Sequence, residues 1–339
     1  MGAASHAAVT PERVMQMAWG FAPTLMIEAA VDLRVFDILE DGPKNAETVA
    51  AAAGATVRGI RGLMNGLAGI GLLTKTDTGV YGLAPDTAAF LVRGKPAYMG
   101  GLMKHMGKDL LPMWQGLSDA IRTGKPSGAV NQRLGGSEFF EHLVVDIFPM
   151  SYLPAMTLAS VLNVAKATGP VKALDLAAGS GVWGIALAQK SPHISVTAVD
   201  WPNVLNVTRR IAEREGVADR FSYIAGDIAE VDFGEGYNIA TLGHILHSEG
   251  EERSRALLKK TGAAMAKGGT IAIAEFLVNE ERSGPPMGLI FGLNMLVATE
   301  RGDTFSFGEI ASWLGEAGFA NARTVDAPGP SPLILANKA

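Results

Sequence analysis

The 339-residue chain contains no cysteine. Disulfides, thiolate metal sites and cysteine nucleophiles are therefore excluded together. Net charge is also low: 29 Lys and Arg against 34 Asp and Glu leave −5, so electrostatics give no reason to expect nucleic acid as a partner. Long hydrophobic runs are missing. The longest, Met287 to Thr299, is 13 residues and contains Asn294, so it reads as a buried helix and not a membrane span. The N-terminal stretch MGAASHAAVTPERVMQ has neither the basic nor the apolar region of a signal peptide. His6 stands where a myristoylation signal needs Ser or Thr. No H-x-x-x-H or other ligand spacing appears, which predicts that no metal is used. These absences together predict a soluble, cytoplasmic protein with neither nucleic-acid nor membrane partners.

What is present suffices for two cores, since 48% of residues are hydrophobic. From Pro11 to about Lys166 the periodicity is helical. The apolar stretch MQMAWGFAPTLMIEAAVDLRVFDIL carries Pro23 as an expected break. AETVAAAAG, ending at Gly54, and TVRGIRGLMNGLAGIGLL follow as helices, and TKTDTGVYGLAP reads as a hairpin. Helix, turn, helix and small β-wing is the order of a winged helix. Such a unit serves either DNA binding or dimerisation. Its second helix offers only Arg58 and Arg61 to a groove, which disfavours DNA.

From Val171 strands and helices alternate, which predicts an open, mostly parallel α/β sheet. The expected strands are VKALDLAA, ISVTAVD, FSYIAGD, YNIATLGHIL and GGTIAIAEFLV, with helices over 182–190, 203–215, 250–266 and 307–318. ARTVDAP and PLILANK close the chain as an antiparallel hairpin. The expected fold class is α/β, with a mainly helical winged-helix-like domain over 1–105, a helical linker over 106–168 and a ligand-binding Rossmann-like sheet over 169–339.

In LDLAAGSGVWG, Gly179, Gly181 and Gly184 have the G-x-G-x-x-G spacing of a nucleotide loop. Asp200 ends the second strand, where a carboxylate accepts hydrogen bonds from ribose hydroxyls. A nicotinamide dinucleotide and S-adenosyl-L-methionine are served equally to this point. Asp175, immediately before the loop, suits a ligand bearing an ammonium and a sulfonium, and would repel a pyrophosphate. Asp227, after the third strand, is placed to accept from an adenine amino group. The alternatives for these acids are a turn cap and a structural residue. Jointly they favour S-adenosyl-L-methionine over NAD.

The motifs LDLAAGSG, VDWPNV, AGDI and LGHILHSEGEE resemble those of the two-domain small-molecule O-methyltransferases of the plant caffeate and bacterial natural-product type. The resemblance covers nearly the whole chain. It implies a homodimer and S-adenosyl-L-methionine converted to S-adenosyl-L-homocysteine. It also places Trp201, Ile228, Met156 and Ser160 beside that cofactor, the last two through the stretch YLPAMTLAS. His247 aligns with the family's general base, and Asp303 with an acid flanking it. Asp303 reads alternatively as a helix N-cap, with Glu300 in its place if the register differs. Ser248 stands where many relatives have Asp, and Ala177 and Ala178 where Gly is usual.

A phenol has a pKa of about 10 and histidine about 6.5, so full proton transfer is uphill by about 5 kcal/mol. Partial transfer in the transition state, with a carboxylate behind the imidazole, meets that cost. Glu275, a lone acid in the apolar strand IAIAEF, is the expected partner. His244 is expected on the opposite strand face from His247. That makes the pair a poor metal site and His244 a packing residue. Candidate pocket residues are Trp114, Phe148, Met150, Tyr152, Phe291, Asn294 and Met295, uncharged and fitted to a flat apolar acceptor. Competing functions are C- or N-methyl transfer on the same fold, an NAD-dependent oxidoreductase, and a winged-helix regulator that senses S-adenosyl-L-methionine.

Overall fold

In the computed structural model, which describes residues 9–128 and 136–339, two compact units divide between Leu111 and Pro112. The division falls beyond the expected boundary at 105. It lies within the expected helical linker over 106–168, of which residues 129–135 lie outside the described residues.

The first unit begins with α1 (Glu12–Ala18) and α2 (Phe21–Asp32). The break between them is at Trp19 and Gly20, not Pro23, which occupies the first turn of α2 where a missing N–H costs no helical hydrogen bond. After α3 (Val35–Ile38) and β1 (Lys44–Asn45), Asn45 caps α4 (Ala46–Ala53) by accepting from the Thr48 N–H, and Gly54 closes it at φ 64°. Thr56 likewise caps α5 (Val57–Gly69). The wing is β2 (Leu73–Lys75) and β3 (Val80–Leu83), to which β1 adds a third strand too short to show periodicity. Then come α6 (Pro85–Phe90) and α7 (Gly100–His105). Phe36, Ile60, Met64, Leu67 and Tyr81 form the core. Arg61 is engaged by Glu47 at 2.8 Å. Val14, Met15, Met17, Trp19 and Phe21 stay exposed. Glu12–Asp32 and Leu143–Val161 are both long and apolar enough to cross a membrane by length and composition, although neither is an uninterrupted apolar run. The first is only 11% buried, so α1 and α2 present a bare apolar surface.

The second unit takes in α8 (Leu111–Gln115, from Pro112), α9 (Leu117–Thr123) and the long α10 (Gly136–Val161). Its sheet opens with β4 (Val171–Leu176), β5 (Ile194–Asp200), β6 (Phe221–Ala225) and β7 (Tyr237–Gly243). It continues with β8 (Met265–Ala274), and the short β9 (Leu277–Val278) and β10 (Phe305–Ser306) pair separately. The hairpin β11 (Phe319–Val325) and β12 (Leu333–Lys338) completes the order β11-β12-β8-β7-β4-β5-β6. Pairings from β6 through β8 are parallel, and β12 alone is reversed, pairing antiparallel with both β8 and β11. The order reverses at β4, so the ends of β4 and β7 form the crevice where such sheets bind ligands.

Helices cover both faces. α11 (Val182–Lys190) is apolar all round because β4 and β5 lie on one side and α10 on the other. α12 (Pro202–Arg214) buries Val204, Val207, Thr208 and Ile211 at helical spacing and keeps its charges outside. α13 (Leu246–Ala264), α14 (Pro286–Ala298) and α15 (Phe307–Glu316) complete the layer, α15 with a Ser306–Glu309 capping box. Asp303 is thus not the cap of that helix.

Candidate active site

The glycine loop joins β4 to α11. Gly179 and Gly181 hold positive φ of 57° and 74°, and Ala177, a non-glycine, also does so at 48°. A Cβ on Gly181 would lie 2.7 Å from Thr208 Cγ2, and one on Gly184 would lie 2.6 Å from Val196 Cγ1. The first glycine therefore serves the turn and the second the close approach of helix to strand. Gly181→Ala should cost about 1–3 kcal/mol in urea unfolding, through strain at φ 74° and overpacking on Thr208.

Both acids of the loop lie where the sequence puts them, with carboxylates already at work. Buried Asp175 accepts from Gly184 N at 3.0 Å and Thr241 Oγ1 at 2.7 Å, which anchors the start of α11. Half-buried Asp200 accepts from Gly179 N at 2.8 Å and Trp201 N at 2.7 Å, clamping the loop to the entry of α12. Burial pushes Asp175 up to about 7 and Asp200 to about 6, against the hydrogen bonds that each accepts. Asp227 accepts from Ala229 N and faces Arg253 at 3.6 Å, with Ile228 buried beside it.

The helix over this loop is α10, but not at the residues expected. A Cβ on Gly179 would lie 3.2 Å from Val144, and the Phe140 ring sits 6.0 Å from that of Trp201. Met156 and Ser160 lie farther along the helix, Ser160 about 24 Å from Val144 at 1.5 Å per residue. Ser160 is exposed and donates to Met156 O. Neither joins the loop. Phe140 and Val144 had only their four-residue apolar spacing to mark them.

His247 is not on a strand. β7 ends at Gly243, where a Cβ would strike the Trp183 indole nitrogen, so no larger residue fits there. His247 sits in the opening turn of α13, which Gly250 interrupts at φ 74°. Glu275, just after β8, organises that turn. Its Oε1 accepts from Leu246 N at 2.7 Å and His247 N at 3.3 Å, and its Oε2 binds His247 Nδ1 at 2.7 Å. Burial alone would push Glu275 up, but the His247 imidazole with its hydrogen bonds, and His244, outweigh that and hold it below the usual carboxylate range. An ionised Glu275 places the proton on Nδ1 and leaves the Nε2 lone pair of His247 for a substrate.

The backbone of Asp303 supports this turn, donating to His247 O at 2.9 Å. Its side chain instead accepts from Thr304 N and is exposed. The expectation for His244 fails, because the strand stops before it and the two-residue alternation stops with it. At φ 61° its ring turns to the same side as His247, with centroids 6.2 Å apart. One nitrogen of each histidine and an oxygen of Glu275 lie within 4.8 Å of one another.

Aromatic rings enclose this corner. Phe291 meets His247 edge-on at 4.9 Å and stacks on Phe276 at 4.0 Å, a residue the sequence reading passed over although it follows Glu275 directly. Trp114 Nε1 donates to Asn294 Oδ1 at 2.9 Å, one turn from Phe291 on α14, and Met295 is buried beside them. Phe148 and Tyr152 do not join this group. They stack on each other in the core formed with α11 and α12, with Arg214 over Phe148 and Tyr152 Oη bonded to Gln189. Met150 is half-buried on the same helix.

Comparison with known proteins agrees with this architecture. The O-methyltransferase domain profile matches residues 114–320 and the O-methyltransferase dimerisation domain profile matches residues 15–93. A 3-hydroxy-5-methyl-1-naphthoate 3-O-methyltransferase of Streptomyces sahachiroi is 30% identical over 97% of this chain and 96% of its own. The structure of PigF with SAH superposes with a TM-score of 0.82 at 27% identity, covering 97% of this chain and all of that one. Human N-acetylserotonin methyltransferase in complex with SAM shares the fold at a TM-score of 0.87 and 22% identity, with both chains covered completely. A dimerisation domain followed by a sheet with a glycine loop at its crevice is the family's organisation, and the chain belongs to the S-adenosylmethionine-dependent O-methyltransferases.

Proposed function

We propose that this enzyme methylates a hydroxyl of a small aromatic or polyketide-like molecule, with His247 as the general base. The observation that carries the proposal is the His247–Glu275 pair, buried among Phe276 and Phe291 at a strand end adjoining the glycine loop.

The loop fits the methyl donor better than a dinucleotide. Asp175 at its base favours a cationic ligand over a pyrophosphate, whereas Asp200 would serve either ribose. Asp200 keeps partial exposure, so its oxygens have lone pairs for ribose hydroxyls, and Asp227 is similarly placed for adenine. When bound, the donor supplies an electrophilic methyl on a sulfonium. The chain's own residues then do three things. Glu275 fixes the tautomer of His247, His247 takes the hydroxyl proton at Nε2, and the aromatic walls hold a flat acceptor and exclude water. Net charge is unchanged by the step, since the proton taken at Nε2 leaves a positive imidazolium, which ionised Glu275 holds. Natural-product relatives acting on naphthoate and tetracenomycin polyketide skeletons support such an acceptor. The exposed apolar residues of α1 and α2 support a homodimer that covers them.

Calorimetric titration with S-adenosylmethionine, S-adenosylhomocysteine and NAD tests the donor assignment. The first two should bind at micromolar concentrations and NAD should not; binding of NAD alone overturns the reading. Asp200→Ala should weaken donor binding by about 1.5–3 kcal/mol, the worth of a hydrogen bond to a charged acceptor. Unchanged affinity would remove Asp200 from the site.

A further inference from the structure

Among the described residues at this corner, His244 is the side chain with an unanswered polar atom. Its Nδ1 is buried and has no partner among the described residues, while its Nε2 lies 3.4 Å from the hydroxyl of buried Ser331. Buried polar groups are almost always paired, so such an atom calls for an explanation. The backbone adds another: His244 holds φ 61°, a left-handed conformation unfavourable for a non-glycine residue. Strain of this kind persists where surrounding structure over-determines it, and it concentrates at functional sites. What the strained turn achieves is to set the His244 ring 6.2 Å from that of the base and 5.1 Å from Phe276.

The contact with Ser331 admits either tautomer of the ring. Where the hydroxyl donates to Nε2, the proton resides on Nδ1 and Nδ1 is a free donor. Burial, then the neighbouring imidazole, push the group down to about 4 despite Glu275, so the ring is a neutral donor near pH 7. A neutral donor beside a base suits an uncharged oxygen acceptor next to the reacting hydroxyl. The chemistry gives that pairing a use. A phenol ortho or peri to a carbonyl ties up its own proton in an internal O–H···O=C bond, out of reach of an external base. A second donor to the carbonyl competes for that oxygen and releases the hydroxyl proton.

Resting on the reading of His247 as base, we propose that His244 donates from Nδ1 to a carbonyl oxygen adjacent to the hydroxyl being methylated, selecting acceptors in which the two groups are ortho or peri.

The test titrates the protein, saturated with S-adenosylhomocysteine, with 1-hydroxyxanthone, whose hydroxyl is peri to the carbonyl, and with 3-hydroxyxanthone, whose hydroxyl is remote from it. Wild type should bind the 1-isomer about tenfold more tightly. His244→Ala should bring the two within about twofold, and His244→Asn, which tolerates positive φ and keeps an N–H donor, should retain part of the preference. Equal affinities in wild type, binding of neither isomer, or a preference surviving in His244→Ala would each overturn the proposal. S-adenosylhomocysteine affinity in every variant reports the integrity of the fold and tests the parent reading separately. Loss of that binding in wild type sinks both, whereas intact binding without isomer preference sinks this one alone.

Discussion

His247→Ala should lower kcat by about 10²–10⁴, the range for removing a positioned general base, while affinity for S-adenosylmethionine stays within twofold. The expectation follows from where the residue sits. His247 touches Glu275 and Phe291, whereas the donor loop is held by Asp175 and Asp200 through a separate set of bonds. Alanine also strands the buried Glu275, so His247→Asn is the cleaner variant: its amide can still donate to the carboxylate, yet it offers no base. Both should show this loss in kcat, with Asn the more stable. Single-turnover release of S-adenosylhomocysteine at saturating acceptor measures the chemical step, and an unchanged rate would end the assignment.

Glu275 should give the second large effect, split between two variants. Glu275→Leu removes the acceptor for Leu246 N, His247 N and His247 Nδ1 in a buried corner. Breaking such a pair costs about 3–5 kcal/mol, readable in urea unfolding. Glu275→Gln fills the same space and can still accept from Leu246 N, but it presents an N–H where an oxygen faced Nδ1. The imidazole must then accept at Nδ1 and carry its proton on Nε2, where the acceptor's proton should go. The kcat should fall by about 10²–10⁴ with much less loss of stability, as in other enzymes where an acid that sets a histidine tautomer is amidated. The pH dependence has a definite sign. Folding holds Glu275 below its ordinary value, so its contribution is complete above the normal carboxylate range and is lost as pH falls through the lowered value. Glu275→Gln should therefore flatten part of the acid limb of the unfolding profile.

How far the sequence reached depended on how local the signal was. β5 and α11 fall on the residues expected, because a run such as ISVTAVD between turn formers has no competing reading and LDLAAGSGVWG sets its own turn. Asp175, Asp200 and Glu275 stood out as lone acids in apolar surroundings. His244 lies off the expected face because the strand ends at Gly243, a residue whose missing side chain leaves room for Trp183 of α11. No two-residue alternation records such a contact. Met156, Ser160, Phe148 and Tyr152 fail for a related reason. Periodicity gives the apolar face of α10 but not its height along the sheet, and the end bearing Phe140 and Val144 is the one that meets the loop. Phe276 was hidden by being one more apolar residue in an apolar strand.

Because burial raises both acids beneath the glycine loop, a cation binding there should release protons, which titration in buffers of different ionisation heat would show. The unfolded chain ionises Asp175 near 3.9, whereas burial in the fold raises it to about 7, so its burial costs stability as pH rises across that interval. A cation seated on the loop favours the ionised carboxylates and expels the protons they carried. Near neutrality the heat of binding therefore includes the heat of protonating the buffer, and an affinity measured at one pH describes a linked equilibrium of ligand and proton together.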